Sequence, residues 1–576
     1  MCGIGGMLGS PDNRILNSII DLLDHRGPDG RGTWIDDQCG LSHARLSILD
    51  LDGSPQPILS DHNSVLVANG EIYNHLELKV DSYPYRTGGD SESILALHRR
   101  HAGSSAVGHV SWISQLNGMF AFAIWDEKNK QLILARDTMG IKPLVRTMIG
   151  PTLLFASEAK ALRAHESYTP RIDDLAMRAR LAWEYPLDGT SLFMDVHQVR
   201  PGTVETWSLD DGKAIMTGCA SFARQMVEPT TDWSRPEHLL ETFISDVEDR
   251  LMADVPVGIV LSGGLDSSLV AAVAREASNR SSNPLPACWT VAESEDNPDW
   301  QAAELVASSL DLVHHQHLLE PDAFHKSLPA LAWHGEDLDV SVLFFQPLFA
   351  KMSEKVTVGL CGQGADELHA GYPRYRDLQA HANTIEHRLA LSNTDLSSLE
   401  GEQWWDGNHS PENHCSSLEK FLQFELDHGQ LSNFQLRLVD RHSMAHSLEV
   451  RVPFLGRAHR QASSKLPMDW RLGPDMEEKA ALRRAADLTE LPSEIVRRPK
   501  LPAGTATAPT MLKQFMSELA PRAKEIAEQS GVFKKVLLGQ PDMAIGFGLF
   551  KAMHILDGGR SAKSGDISSL LDEVIQ

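Results

Sequence analysis

Cys2, SGGLDSS and CGQGADE are the parts of this chain whose side chains could do covalent or phosphate chemistry. Cys2 stands directly behind Met1 and ahead of Gly3. Its side chain is small enough for the methionine to be trimmed, which would put a thiol and an α-amino group on one residue. An α-amino group has a pKa of ~8, so it can take the thiol proton at neutral pH. Taken alone, a cysteine at position 2 is as readily an incidental residue. The run Ser262-Gly263-Gly264-Leu265-Asp266-Ser267-Ser268 has no GK[ST] and is no Walker A loop. Adjacent glycines let backbone approach an anion. The hydroxyls of Ser262, Ser267 and Ser268, with N–H groups at a helix start, can hold a pyrophosphate. An isolated SGG turn would mean little; a later acidic motif, Cys361-Gly362-Gln363-Gly364-Ala365-Asp366-Glu367, makes it specific.

These motifs need elements to hold them. Residues 1–205 read as strands with tight turns, including a hairpin of Phe120–Trp125 and Lys130–Ala135 around a polar turn. Residues 206–235 are polar and irregular and read as a connector. From 236 to 252 Leu239, Leu240, Phe243, Ile244, Val247 and Leu251 recur at helical spacing. Strands at Val255–Leu261, Ala287–Ala292 and Val356–Leu360 then alternate with helices, which predicts a parallel α/β sheet over the start of 236–576 and a mostly helical part after about 375. Residues 392–416 read as a polar surface loop. Ligands of open α/β sheets bind outside the carboxyl ends of the strands, so SGGLDSS and CGQGADE should meet in one crevice. Asp266 and Asp366 are then natural magnesium ligands, because that ion keeps most of its waters and bridges phosphates through one or two carboxylates.

Composition narrows the classes. A chain of 576 residues has room for two or three cores, and 42% hydrophobic with 23% charged residues is an ordinary globular profile. The net charge of −25 argues against nucleic acid and anionic lipid as partners. Six scattered cysteines without a CxxC favour reduced thiols, and no apolar run approaches the ~20 residues of a membrane span. With no signal-peptide pattern at the start, the expected location is cytoplasmic.

HRGPDG (His25–Gly30), SHARLSILD (Ser42–Asp50), NGEIYN (Asn69–Asn74), TGGDSE (Thr87–Glu92) and ARDTMGIKPL (Ala135–Leu144) follow Cys2 in that order. With them the first 160 residues resemble the class-II glutamine amidotransferases, whose glutaminase is an N-terminal-nucleophile hydrolase of stacked antiparallel sheets between helices. The resemblance implies that Cys2 attacks the glutamine amide, and that Asn69 and the Gly70 N–H form the oxyanion hole. Arg45 would grip the carboxylate and Asp90 the ammonium, with Glu71 extending the same turn. Singly, NGEIYN is an ordinary turn and Arg45 a surface salt bridge; in this order those readings lose weight. SGGLDSS resembles the PP-loop of ATP pyrophosphatases, which split ATP into AMP and pyrophosphate while adenylating an acid. Cys361 and Gly362 would then line the adenosine, with Leu261 and Val291 beneath it.

Two further motifs, DRHSMAHSLEVRVPFL (Asp440–Leu455) and RRPK (Arg497–Lys500), complete the layout of the glutamine-hydrolysing asparagine synthetase family over nearly the whole chain. That family implies glutamine, ATP, magnesium and aspartate, an aspartyl-AMP intermediate, and charge stabilisation on the phosphates by Lys500; a homodimer is compatible with it. Glu449 and Arg451 read either as shaping the ATP site or as a structural ion pair. The chain departs from the pattern at Gln363, where the family commonly has a glutamate able to take a proton from ammonia. Gln363 can still hydrogen-bond an acyl-adenylate, and Glu367 or a phosphate oxygen is left as the base. Val340-Ser341-Val342-Leu343 replaces the Thr-Thr-Ile-Arg stretch of aspartate users. An amidotransferase for another carboxylic acid, in a peptide, sugar or secondary metabolite, is therefore the second reading. A degenerate scaffold protein is the third, opposed by intact Cys2, Asp266, Asp366 and Lys500.

Overall fold

The computed structural model describes residues 2–101, 103, 105–187, 189–222, 235–281, 283–340, 342–394, 410–501, 506–556 and 566–575. Met1, Ser341, most of the connector's second half and most of the polar stretch 392–416 lie outside the described residues.

Alternation of apolar residues in the first 221 residues builds two antiparallel sheets of six strands each. In the first, the central strand Gly3–Leu8 is flanked by Cys39–Arg45 and Thr152–Ala156. In the second, Gly118–Asp126 lies between Ser64–Ile72 and Gln131–Arg136. Ile4, Leu8 and Leu41 from one sheet meet Val67, Ala121, Ala123 and Leu134 from the other. Leu16, Ile19 and Leu23 of the helix Asn13–Leu23 pack against the outer face of the first sheet, and helices Glu92–Arg100 and Ala106–Ile113 cover the second. The predicted hairpin is present, and SEAKAL forms a 3₁₀ helix, Ala159–Ala164. The reading of 1–205 as strands and turns omitted the covering helices. The connector needs correction too. Its first half forms strands Thr203–Asp210 and Lys213–Ser221, which extend the second sheet from Gln131–Arg136. The turn Asp210–Lys213 supplied the polar, irregular look, but Trp207, buried between the sheets, marks a strand.

After helix Pro236–Arg250 comes a five-stranded parallel sheet in the order His314–Leu318, Ala287–Ala292, Val257–Val260, Val358–Leu360, Glu449–Arg451. The outer strands were not expected. His314-His315-Gln316-His317-Leu318 lies on an edge and is half-buried, so it shows no apolar signal. Glu449–Arg451 spans three residues. Chain order reverses between Val257–Val260 and Val358–Leu360, which is where such sheets bind ligands. None of the described helices is long and apolar enough to cross a membrane.

One buried guanidinium joins the two halves. Arg26, fully buried, donates through Nη1 to Glu158 Oε1 (2.7 Å) and Asp440 Oδ2 (2.9 Å), through Nη2 to Asp440 Oδ1 (3.3 Å), and through Nε to the Cys2 carbonyl (3.1 Å). Burial opposes its charge, but Asp440 and Glu158 more than offset that and raise its pKa. Across the same seam, Glu336 accepts the N–H groups of Ala159 and Lys160 at the start of the 3₁₀ helix. Removing one partner of a buried ionic cluster leaves the others uncompensated and costs ~3–5 kcal/mol. Arg26→Leu should therefore lower the unfolding free energy of the first urea transition by about that much, read as a lower midpoint. An unchanged midpoint would show that the seam does not depend on this residue.

Candidate active sites

Cys2 immediately precedes the strand Gly3–Leu8 of the first sheet and Asn69-Gly70 lies near the end of Ser64–Ile72 in the second, so sheet stacking brings them together. The Cys2 N–H donates to Asn69 Oδ1 at 3.0 Å, and Asn69 Nδ2 is buried with no partner among the described residues. That leaves one amide donor next to the thiol for an incoming oxygen. Gly70 has φ +146°, and a Cβ there would lie 1.9 Å from the Met119 carbonyl oxygen, so only glycine fits beside the neighbouring strand. A small cleft of about 40 Å³ is lined by Cys2, Arg45, Gly70, Glu71 and Asp90 with Ser54, Thr87 and Gly89. Arg45, Gly70, Glu71 and Asp90 of the sequence-derived set thus meet Cys2 in one cleft, while Asn69 does not line it and is held on the Cys2 N–H. Arg45 donates to the carbonyls of Leu51 (2.6 Å) and Asp50 (2.8 Å), which fix the guanidinium rather than leave its fork open. Asp90 accepts the Ile72 N–H at 2.6 Å. Burial pushes the Cys2 thiol up, partly countered by the positive chain terminus. Burial also raises Glu71, reinforced by Asp90.

Glu449 and Arg451 do not line the second cavity. Arg451 Nε donates to Glu449 at 2.6 Å, its Nη2 lies 3.7 Å from Glu71, and its guanidinium sits over the Tyr73 ring at 5.7 Å. They are a buried ion pair between the parallel sheet and the thiol cleft.

The second cavity, about 120 Å³, opens at the reversal point of the parallel sheet. Leu261, Ser262, Asp266, Ser267, Val291, Cys361, Gly362, Gln363, Asp366 and Lys500 all line it. Gly362 permits this: a Cβ would lie 2.9 Å from Asp266 Cβ and 3.0 Å from Ser267 N, where the two loops touch. Gly263, Gly264 and Ser268 do not line the cavity, and the buried Ser268 hydroxyl has no partner among the described residues. Ser262 and Ser267 hydroxyls lie 3.0 Å apart. The carboxylates converge on cations of the chain itself. Lys479 Nζ is 2.6 Å from both oxygens of Asp266 and 2.5 Å from Asp366 Oδ1, and Lys500 Nζ is 2.7 Å from Asp366 Oδ2. Burial would raise the Asp366 carboxyl, but Lys479 and Lys500 hold it far below the usual range. Sequence reasoning missed Lys479. It is the N-cap of the helix Ala480–Ala486, where the helix dipole disfavours a cation, and that misfit is the signal available in the sequence. Glu367 does not line the cavity; it is fully buried and accepts the Tyr372 hydroxyl at 2.9 Å.

His25, Glu158 and His334 bring ligand atoms within 4.8 Å of one another. Arg26, Lys160 and Arg441 already surround Glu158, so a metal there would meet three cations.

Residues 1–217 match the glutamine amidotransferase domain family, and residues 238–540 match the asparagine synthase family. The chain belongs to the asparagine synthase family. It is 28% identical to asparagine synthetase [glutamine-hydrolyzing] 1 of Bacillus subtilis (strain 168), with 87% of this chain and 86% of that protein covered. It is 31% identical to asparagine synthetase [glutamine-hydrolyzing] 2 of Arabidopsis thaliana, covering 87% of this chain and 78% of that one. A solved glutamine phosphoribosylpyrophosphate amidotransferase from B. subtilis aligns with a TM-score of 0.30 at 19% identity, over 48% of this chain and 64% of its own. By family the protein is a glutamine-hydrolysing, amide-forming ligase, with two stacked antiparallel sheets ahead of a parallel-sheet synthetase half.

In this synthetase Glu367 titrates near neutrality. Burial raises its carboxyl to about 7, with Asp366 and Glu425 adding to the effect. The folded state therefore holds this proton where an unfolded chain, at 4.5, has lost it. Stability from this group is complete below pH 4.5 and is lost as pH rises to about 7. Relative to Glu367→Gln, the wild type should lose roughly 3 kcal/mol across that window in urea titrations. Parallel pH profiles for the two proteins would refute the assignment.

Proposed function

We propose that the chain makes asparagine from aspartate, using ammonia released from glutamine at Cys2 and an aspartyl-AMP formed in the second cavity. One observation carries the reading: Ser262, Asp266 and Ser267 of SGGLDSS, Cys361, Gly362, Gln363 and Asp366 of CGQGADE, and Lys500 line a single cavity at the reversal point of the parallel sheet. Once Met1 is removed, the α-amino group of Cys2 would take the thiol proton and the sulfur would attack the glutamine amide. Asn69 Nδ2 and the Gly70 N–H would receive the developing oxyanion. Arg45 and Asp90 line the same cleft with the charges a free amino acid requires.

In the second cavity the Ser262 and Ser267 hydroxyls would bind phosphate oxygens. Lys500, whose charge Asp366 and Asp266 sustain against burial, would stabilise the leaving pyrophosphate. Asp266 and Asp366 converge on one cation position, occupied by Lys479 Nζ, and an all-carboxylate donor pair suits magnesium. When bound, magnesium supplies neutralisation of phosphate charge. Lys479 would then move aside or share the carboxylates. Gln363, on the cavity wall, would hydrogen-bond the acyl group but cannot serve as a base.

A specific observation supports the second reading, a different carboxylic acid. Val340 and Leu343 are buried in the core, and Phe344, Phe345, Leu348, Phe349 and Val439 line the cavity. Lys500 is the sole cation among its described lining residues, so the free carboxylate of aspartate has no evident partner there.

Cys2→Ala should abolish glutamine hydrolysis and leave amide formation from added ammonium salts. Asp266→Asn should stop acid-dependent pyrophosphate release with glutamine hydrolysis intact, a loss of at least ~10²-fold if the carboxylate organises the phosphates. Equal loss of both activities in either variant would rule out separate sites. Absence of aspartate-dependent pyrophosphate in the wild type, with release on another acid, would select the second reading.

A further inference from the structure

A cleft of about 510 Å³ opens at the seam between the two halves and shares no lining residue with either cavity described above. One wall comes from the glutaminase half, with Val110, Ile113, Ser114, Phe120 and Phe222. The opposite wall carries four arginines, Arg250, Arg457, Arg460 and Arg471. No Asp or Glu lines the cleft among the described residues, in a chain whose net charge is −25. Arg250 is paired behind the wall with Asp246 at 3.6 Å, so the charge offered to an occupant is chiefly that of Arg457 and Arg471.

Two of the arginines have only neutral partners. Arg457 Nη2 donates to the carbonyls of Ser114 (3.1 Å) and Leu116 (2.6 Å), across the seam. Arg471, 3% exposed, donates to the carbonyls of Leu368 (3.0 Å) and Ser463 (2.9 Å), and its buried Nε has no partner among the described residues. Neither takes part in an ion pair among the described residues. Burial lowers the Arg471 guanidinium to about 10, with Glu419 offering the one opposing charge. A buried guanidinium without a carboxylate is costly unless an anion completes it. Facing these groups, the Phe120 and Phe222 rings stack at 6.4 Å with their planes 18° apart. The volume falls within the ~300–1,000 Å³ typical of small-molecule sites.

We propose that this cleft is a second ligand site, for a nucleoside phosphate: the arginines take the phosphate and the apolar, aromatic wall takes the base. Because its walls belong to different halves, an occupant would bridge the seam.

The test counts AMP bound per full-length chain by equilibrium dialysis. Ser114 and Gln461 are exposed lining residues on opposite walls, so S114D/Q461E puts carboxylates into the cleft without disturbing the core. The wild type should bind one more AMP per chain than S114D/Q461E, while acid-dependent pyrophosphate release, which requires a folded chain, stays the same in both. Inorganic phosphate should displace the seam-bound AMP at least about tenfold less effectively than unlabelled AMP, since stacking is worth ~1–3 kcal/mol. Equal AMP counts in the two proteins would overturn the site. Displacement by phosphate as effective as by AMP would overturn the nucleoside class and leave a plain anion site.

Discussion

Arg26 is the constraint around which the two reaction centres are arranged. Its three nitrogens are committed to the carbonyl of Cys2, to Glu158 and to Asp440, so one side chain fixes the nucleophile's backbone to a helix of the other half. A guanidinium suits this work because it is planar, always charged and forked; a lysine would supply one point of attachment. Glu158 is shared onward with Lys160 and Arg441, and Arg441 reaches Glu336, which holds the start of the 3₁₀ helix. The seam is therefore a closed ionic network, with charges balanced locally rather than spread over the surface. Such a network contributes little net stability over an apolar seam, but it tolerates only one relative placement of its members.

The second cavity depends on a similar balance at smaller scale. Asp266 and Asp366 come from different loops and would repel each other if alone. Lys479 and Lys500 hold them together, and Gly362 lets the loops touch. A phosphate-binding site built this way is pre-assembled before substrate arrives, which reduces the ordering cost at binding. On the proposed reading, it also puts the cation position now taken by Lys479 where phosphate charge would appear.

The motifs were legible because their chemistry is local. SGGLDSS and CGQGADE state their hydroxyls, glycines and carboxylates in seven residues each, and the alternation of strands and helices said that they would meet. Cys2, Asn69, Gly70 and Asp90 were legible as an ordered set. What failed to show was whatever depended on distant partners. Asp440 reads as one acid in a helix, and nothing near it names Arg26, 414 residues away. The strands Thr203–Asp210 and Lys213–Ser221 exist because Gln131–Arg136 offers an open edge, and Lys213–Ser221 has a single buried residue, so it lacks the alternation that marks a strand. His314–Leu318 is a strand by pairing alone. Glu449 and Arg451 read equally as shaping the ATP site or as a structural pair, and only the fold places them as a buried pair beside Glu71 and away from the ATP cavity.

That location bears on how ammonia would travel on the proposed reading. Ammonia freed at Cys2 is a base, and an ammonium ion is no nucleophile, so the groups near its way must not hand it a proton. The seam's imidazoles meet this requirement. Burial lowers His25 despite Glu158 beside it, lowers His334 well below its ordinary value, and brings His442 to about 3 and His446 to about 4. All four are neutral at physiological pH. Lys142 is fully buried with no hydrogen-bond partner among the described residues, and burial lowers its pKa as well, although Asp440 at 3.6 Å works against that. The other cations of the seam are Lys160, held on Glu158, and arginines, which do not release protons and are tied to carboxylates or carbonyls. The same burial that locks the halves together thus removes the proton donors that would quench the nucleophile between them.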